Sequence, residues 1–415
     1  MKSLQRIAPS IRVGRLGRNA AYGSAGLGIR AAIQAGYLVL LSRWMGAQGY
    51  GLFAGSVAVV SLVAPFSGWG ITYVLSRRIA RDRASSRALW ASAMGQVVFT
   101  GAVMTAAIVA AASLLLKERI DILSMVLIGL AEMVVLPLAQ AGTSLCFAVG
   151  RGLPAAFAIC LVPAGRLFTG MVFMAMGAGR TPALVATSHF LGSLVGIVGT
   201  ILLIAGVDGW PAWRGRLRLR ETLREGAPFA AGALVGTSYQ EVDKVLMLQL
   251  LGAAVVGPYT AAFRVVSVFA LPVSALMSAA LPRLFATHGG PEGSRMLRHV
   301  VWASIAYGLL ATLVAAGVAP LMPHIFGEGF GAATRYLLLL SPWPILFALH
   351  QATATGLTAF GRQHARVGIE ALGLLLVVAL NALLLRPLGA GASVLALLAT
   401  EAFMALGCSL VLRRK

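Results

Sequence analysis

Charge is scarce in this chain, and negative charge scarcest. Of 415 residues 11% are charged, and 13 Asp and Glu stand against 34 Lys and Arg. Cysteine is nearly absent: Cys146, Cys160 and Cys408 lie in apolar stretches, too few for a disulfide framework and without CxxC metal spacing. No G-x-x-x-x-G-K-[ST] run occurs, and Gly14 and Gly17 in the basic N-terminal stretch form no phosphate loop, so an ATP motor on this chain is not expected. His189, His324 and His350 have no metal-ligand or catalytic-triad spacing around them and read as packing histidines. Neither a cofactor nor a metal is implied.

What remains is apolar. The chain is 59% hydrophobic with a mean hydropathy of +0.86, a profile of no soluble class but of an all-α polytopic membrane protein. Twelve spans follow from hydropathy: 21–41, 52–75, 88–116, 122–148, 154–176 and 182–206, then 227–251, 255–281, 299–323, 333–358, 366–385 and 390–412. The fourth is the least regular, since Glu132, Pro137 and Gln140 interrupt it.

A net charge of +21 would suggest nucleic acid in a soluble protein; here its distribution argues for topology instead, with no nucleic-acid partner. Twelve spans put both termini on one side. The loops and tails of that side carry 24 Lys and Arg, those of the other side six, and Arg30, Arg166, Lys244 and Arg264 fall within spans. The positive-inside rule then places both termini in the cytoplasm. Residues 1–20 read as a basic cytoplasmic segment, either amphipathic on an anionic membrane face or disordered, and 413–415 as a basic tail. The arginine-rich 207–226 reads as a cytoplasmic connector anchored to lipid headgroups.

The connector divides a repeat. The run from Met45, MGAQGYGLFAGSVAVVSLVAPFSGWGITYVLSRRIA, aligns without gaps on the run from Leu251, LGAAVVGPYTAAFRVVSVFALPVSALMSAALPRLFA. Gly46 falls on Gly252, Gly51 on Gly257, Ser61 on Ser267 and Arg77 on Arg283. Two six-helix bundles are expected, 21–206 and 227–412. An even span count inserts both the same way up, related by a pseudo-two-fold along the membrane normal with a cavity between them.

Ionisable side chains at membrane depth cost about 2.5–3.5 kcal/mol unless they face a partner or water. Arg30, Gln34 and Tyr37 share one face of the first span. Thr260, Arg264, Ser267 and Ser274 share a face of the eighth, and Arg166 with Thr169 a face of the fifth. On the seventh, Thr237, Glu241 and Lys244 stack together, while Asp243 points about 100° away from Lys244. Four cations on four helices suit an anion, because guanidinium groups match phosphate oxygens. The expected substrate contacts are Arg30, Gln34, Arg166, Lys244, Thr260 and Arg264, with Asp243, Glu241 and Glu132 for ion coupling or gating. The alternative has each arginine snorkelling, or pairing structurally with Glu132, Glu370 or Glu401.

The pattern LSRWMGAQGYGLFA, an apolar span and SRRIARDR resembles the opening of bacterial polysaccharide (O-antigen type) flippases, of the superfamily that also holds multidrug and toxin extruders and lipid II flippases. VDKVLMLQLLGAAVVGPYTAAFRVV is similar to that family's second-half start, and MPHIFGEGFGAATRYLLLLSP to its ninth-to-tenth helix connection. The resemblance implies export of a polyprenyl-diphosphate-linked glycan across the inner membrane, by alternating access and usually on an ion gradient of H+ or Na+. Membrane lipids and glycan polymerase machinery are the implied partners. It also places Asp243 and Lys244 at matching positions of the seventh helix. A drug or small-metabolite exporter of the same fold is the second reading. A membrane-integral glycan polymerase or ligase is disfavoured, because the outer loops are short.

Overall fold

The computed structural model describes residues 15–115, 121–213, 219–287 and 290–413, and these fold entirely into helices and their connections. The expected basic segment lies outside the described residues up to its last six positions, as do 214–218 of the connector and the last two residues of the tail.

Spans one and two form one continuous run, α1 (Arg15–Gly68), bent at Gly46, where φ is 70° and ψ 178°. The repeat partner Gly252 takes φ 82° and ψ 168° at the joint between α8 (Leu219–Leu251) and α9 (Ala253–Ser267). A Cβ is strained in that region, so the first glycine of each repeat makes the sharp reversal between two spans. The second glycine has a different task. A Cβ on Gly51 would strike the Ala253 carbonyl, and a Cβ on Gly257 would strike the Ala47 carbonyl. Each half offers the other the same atoms, as a two-fold axis through the contact requires.

The N-terminal bundle continues with α2 (Ile71–Arg81) and α3 (Ser86–Leu115). The irregular fourth span is α4 (Ile122–Leu130), a π-helical turn at Ala131–Val135 and α5 (Leu136–Ala148). Pro137 has no N–H to give the preceding turn, and the Leu136 N–H reaches the Ala131 carbonyl instead. Glu132 sits in that widened turn. α6 (Gly152–Ala175) and α7 (Pro182–Asp208) complete the bundle. The C-terminal bundle follows α8 and α9 with α10 (Ala270–Ala286), α11 (Pro291–Val318), α12 (Met322–Phe326) and α13 (Gly331–Leu340), then α14 (Trp343–Ala359), α15 (Gln363–Leu388) and α16 (Gly391–Arg413).

Nine helices among the described residues are long and apolar enough to cross a membrane, ten with the pair Glu328–Leu340 and Trp343–Ala359, bent by 44°. The first of the nine, Ala21–Arg81, holds two of the expected spans, and α8 fails on composition because its charges crowd one window. α8 also begins eight residues before the hydropathy boundary at 227, with a charged turn over 220–225. The expected outer loop near 324–332 is instead short helical turns, with Phe326 and Phe330 buried. Leu309, Leu313, Leu375, Leu383 and Leu406 face outward, which lipid accepts and water does not.

The two ends of the bundle pair differ. Around the Gly51–Gly257 contact, Tyr50, Phe53, Tyr259, Phe263, Phe330 and Trp343 belong to one buried core that joins the bundles. Arg43 crosses the same end to the carbonyls of Ile325 at 2.8 Å and His324 at 2.6 Å. At the other end, which carries the basic loops, the bundles meet along one flank. There Trp69 donates to the Leu223 carbonyl at 2.8 Å and Tyr73 stacks on Phe229. Arg77 and Arg78 pair with Glu225 at 2.6 and 3.0 Å, and Arg78 with Glu221 at 3.3 Å. Across the pseudo-two-fold, α10 packs on α11 and α14, with no comparable packing against the first arm of α1 among the described residues. The bundles are joined at one end and along one flank, and the other flank lacks comparable packing among the described residues.

Candidate functional site: a charged cleft between two helical bundles

Burial of ionisable groups locates the site. From the N-terminal bundle, Glu132 accepts from Arg166 at 2.9 Å and from Nε2 of His189 at 2.9 Å. The other ring nitrogen of His189 accepts from the Tyr37 hydroxyl at 2.9 Å, and Arg166 also donates to Ser193 at 2.8 Å. Arg30, half-buried, lies within electrostatic reach of both Arg166 and Glu132. The Tyr37 hydroxyl, both ring nitrogens of His189 and Oε1 of Glu132 all have partners, as burial requires.

From the C-terminal bundle come Glu241, Asp243, Lys244 and Arg264. Lys244 has no exposed surface; it donates to the Gln240 carbonyl and to Asp243 at 3.1 Å, lies 3.5 Å from Glu241, and sits 4.1 Å over the Phe263 ring. Tyr259 donates to the second oxygen of Asp243. The 100° between Asp243 and Lys244 therefore does not separate them: the long lysine folds back along its own helix and reaches both acids. Arg264 differs from the other three cations. It holds Glu241 through one contact of 3.3 Å, and 44% of its side chain is accessible although protein surrounds it. What it opens onto is the cleft. Its charge reaches Tyr50 and Glu132 of the opposite bundle.

The four cations are thus two enclosed ion-pair members, Arg166 and Lys244, and two that remain accessible, Arg30 and Arg264. Gln34 is exposed on the Arg30 arm. Thr260 is buried, so it does not accompany Arg264 into the cleft, and its hydroxyl has no hydrogen-bond partner. Ser267 donates to the Arg264 carbonyl at 2.9 Å. Around the cleft four cations stand against Glu132, Glu241 and Asp243. Glu370 and Glu401 lie elsewhere in the C-terminal bundle, Glu401 with no exposed surface, so the cleft has one positive charge in excess.

His189 is a buried histidine with both nitrogens satisfied, whereas His350 has one partner. His350 donates from Nδ1 to Glu401 at 2.9 Å, and Tyr239 donates to the other Glu401 oxygen at 2.7 Å. An acid within an apolar helix and with no cation one turn away needs a partner from another helix, and a histidine meets that need as well as an arginine does. Among the described residues no group of three or more His, Cys, Asp or Glu could hold a metal.

The site is a charged, partly enclosed cleft between two helical bundles of a membrane protein. The sequence model of the family described as "Polysaccharide biosynthesis protein" matches residues 16–288, and the chain belongs to that family. No curated protein matches it. Among solved structures, it is similar to the inward-facing conformation of a multidrug resistance MATE family transporter of the MOP superfamily, with TM-score 0.72 and 15% identity over 93% of this chain and 97% of that one. The outward-facing conformation of such a transporter gives 0.64 and 16%, over 95% and 94%. A MOP superfamily transporter from Pyrococcus furiosus, whose binding pocket is described as of reverse polarity, gives 0.61 and 16%, over 95% of each chain. The fold is the one these solved transporters share.

Proposed function

We propose that this protein is a flippase that moves a polyprenyl-diphosphate-linked oligosaccharide to the outer leaflet of the bacterial inner membrane by alternating access, driven by an ion gradient. The observation that carries the reading is Arg264, accessible in a cleft of positive excess whose one flank lacks the helix packing of the other. A headgroup enters such a cleft sideways while its prenyl tail stays in the bilayer. Arg264 and Arg30 meet the diphosphate, with Gln34 beside Arg30. Arg166, Lys244 and Thr260 shape the binding surface from behind, and Glu241 exchanges Arg264 with the substrate between unloaded and loaded states. Asp243 and Glu132 hold the neighbouring cations in place during the exchange. In this reading the bundles are 21–206 and 227–412, the connector 207–226 is cytoplasmic, and the cleft opens toward the cytoplasm at the end of the basic loops. A glycan polymerase is the natural consumer of the exported product.

Replacing Arg264 by Ala should lower glycan export at least tenfold at unchanged protein level. Lys should restore it in part, since it keeps the charge and loses the fork. Normal export by the Ala variant, made in normal amount, would overturn the assignment. The multidrug reading draws on the similar structures, and it predicts a cavity that selects cations. Resistance to cationic drugs conferred by this chain, with no effect on glycan export, would favour it.

A further inference from the structure

The two bundles carry the same three side chains at corresponding helices, with two of them exchanged. In the N-terminal bundle the carboxylate is on the fourth span (Glu132), the imidazole on the sixth (His189) and the phenol on the first (Tyr37). In the C-terminal bundle the imidazole is on the tenth span (His350), the carboxylate on the twelfth (Glu401) and the phenol on the seventh (Tyr239). Both histidine–glutamate pairs are 2.9 Å apart and buried. Their charge balance differs.

In the N-terminal cluster Arg166 neutralises Glu132, and both nitrogens of His189 are engaged. Neither ring nitrogen of His189 is left without a partner. In the C-terminal cluster Nδ1 of His350 carries the proton it donates to Glu401. Nε2 of a neutral ring is then a bare acceptor, and it is buried without a hydrogen-bond partner. Glu370 lies 3.9 Å from that nitrogen and is itself held by Arg366 at 2.7 Å. Two carboxylates, Glu401 and Glu370, thus face one guanidinium, leaving one negative charge in excess inside an apolar bundle. A proton on Nε2 cancels that charge and places an imidazolium between two carboxylates.

On α15 and α16, Arg362 donates to the Val411 carbonyl, and His364 and Arg413 are exposed at the helix ends; the other ionisable groups of the surrounding helices have places of their own. On α8, Tyr239 is already a donor to Glu401, and Asp243 is bound by Lys244 and Tyr259. On α9, Arg264 is paired with Glu241. On α10 and α11, Arg283, Arg295, Arg298 and His299 lie at the basic-loop ends of their helices, and Tyr307 donates to the Phe269 carbonyl. Arg335 and Tyr336 are on α13, with Tyr336 edge-on to Tyr259. Cys408 on α16 is buried and adds no charge as a thiol.

We infer that Nε2 of His350, held between Glu401 and Glu370, is a proton-binding site, and that its loading shifts the bundles between cleft-open and cleft-closed arrangements. Arg366 and Glu370 connect it to the basic-loop end of α15, the route by which a proton leaves when the cleft is open at that end. The proposal rests on the transporter reading, supplies the coupling ion as a proton, and places it in the bundle opposite Glu132.

The full-length protein, labelled with ¹⁵N-histidine in lipid nanodiscs, tests it without any substrate. As pH is lowered, the His350 resonances, assigned with His350→Gln, should move from a one-proton to a two-proton pattern while those of His189 stay fixed. Spin labels at Ala84 and Ser294, one on each bundle at the basic-loop end, should show a distance distribution that changes over the same titration. In Glu401→Gln, of the same size and with the charge removed, that change should fall to a tenth or less. A neutral His350 throughout, or a distance change that persists in Glu401→Gln, overturns the proposal. Both readouts stand whatever the cargo, so failure of the glycan-flippase reading leaves them decisive.

Discussion

Comparing the two bundles separates what the repeat preserves from what it has let drift. Backbone features recur in register: the positive-φ glycines Gly46 and Gly252, and the crossing glycines Gly51 and Gly257. The buried charged side chains do not. The N-terminal bundle closes its buried acid with an arginine, and the C-terminal bundle closes its own with a histidine and a second acid. Geometry that must match across an axis is shared, whereas chemistry inside each bundle is free to diverge.

The strongest way to break the comparison is at the shared contact. Gly51→Val or Gly257→Val would drive a side chain into another helix's backbone. The cost should exceed the ordinary overpacking range of about 1–3 kcal/mol, because a carbonyl cannot change rotamer. Thermal unfolding of the purified protein should shift down markedly for either variant and by similar amounts. A large effect at one glycine and none at the other would contradict the two-fold contact.

Next comes the difference between the acids. Glu132→Gln strands the Arg166 charge in a buried site, which typically costs about 3–5 kcal/mol. Glu401→Gln strands no cation and removes only hydrogen bonds to neutral donors, about 1–3 kcal/mol. The order of the two melting shifts checks the reading, and adding Arg166→Met to Glu132→Gln should recover part of the loss.

The smallest effect belongs to the flank at the basic-loop end. Arg77 and Arg78 are exposed enough that each pair with Glu221 or Glu225 contributes about 0.2–1 kcal/mol and weakens with salt. Hydrogen bonding from Arg78 holds the Glu225 carboxyl below its ordinary range. Its stabilisation is therefore complete above the unfolded glutamate value, about 4.3, and is lost as pH falls through the lower folded value. Arg77→Ala with Arg78→Ala should loosen this flank at neutral pH, seen as faster hydrogen exchange in 71–81, and should change little once Glu225 is protonated.

Much of this is legible in the sequence. Twelve spans follow from hydropathy because lipid imposes one length on every crossing helix. The glycine register announced the repeat because both glycines answer to backbone geometry, which few residues can replace. The start of α8 was misplaced because its first two turns are polar and fold as helix against α2, where hydropathy is silent. Glu132 with Arg166 was legible only as an alternative. The His189 and His350 partnerships were not, since each joins residues more than fifty positions apart and no single-helix pattern records them. Lys244 shows the converse error: angular separation on a helix wheel says little about a side chain long enough to fold back.

The reciprocal contact at Gly51 and Gly257 has a bearing on origins. An interface in which each side presents the same atoms is the interface of a symmetric homodimer, and it needs one surface, not two. A six-span ancestor with this helix crossing already carried its own partner's face. Six spans return the chain to the side it started from, so duplication followed by end-to-end fusion would inherit the pairing intact, with neither half having to turn over in the bilayer.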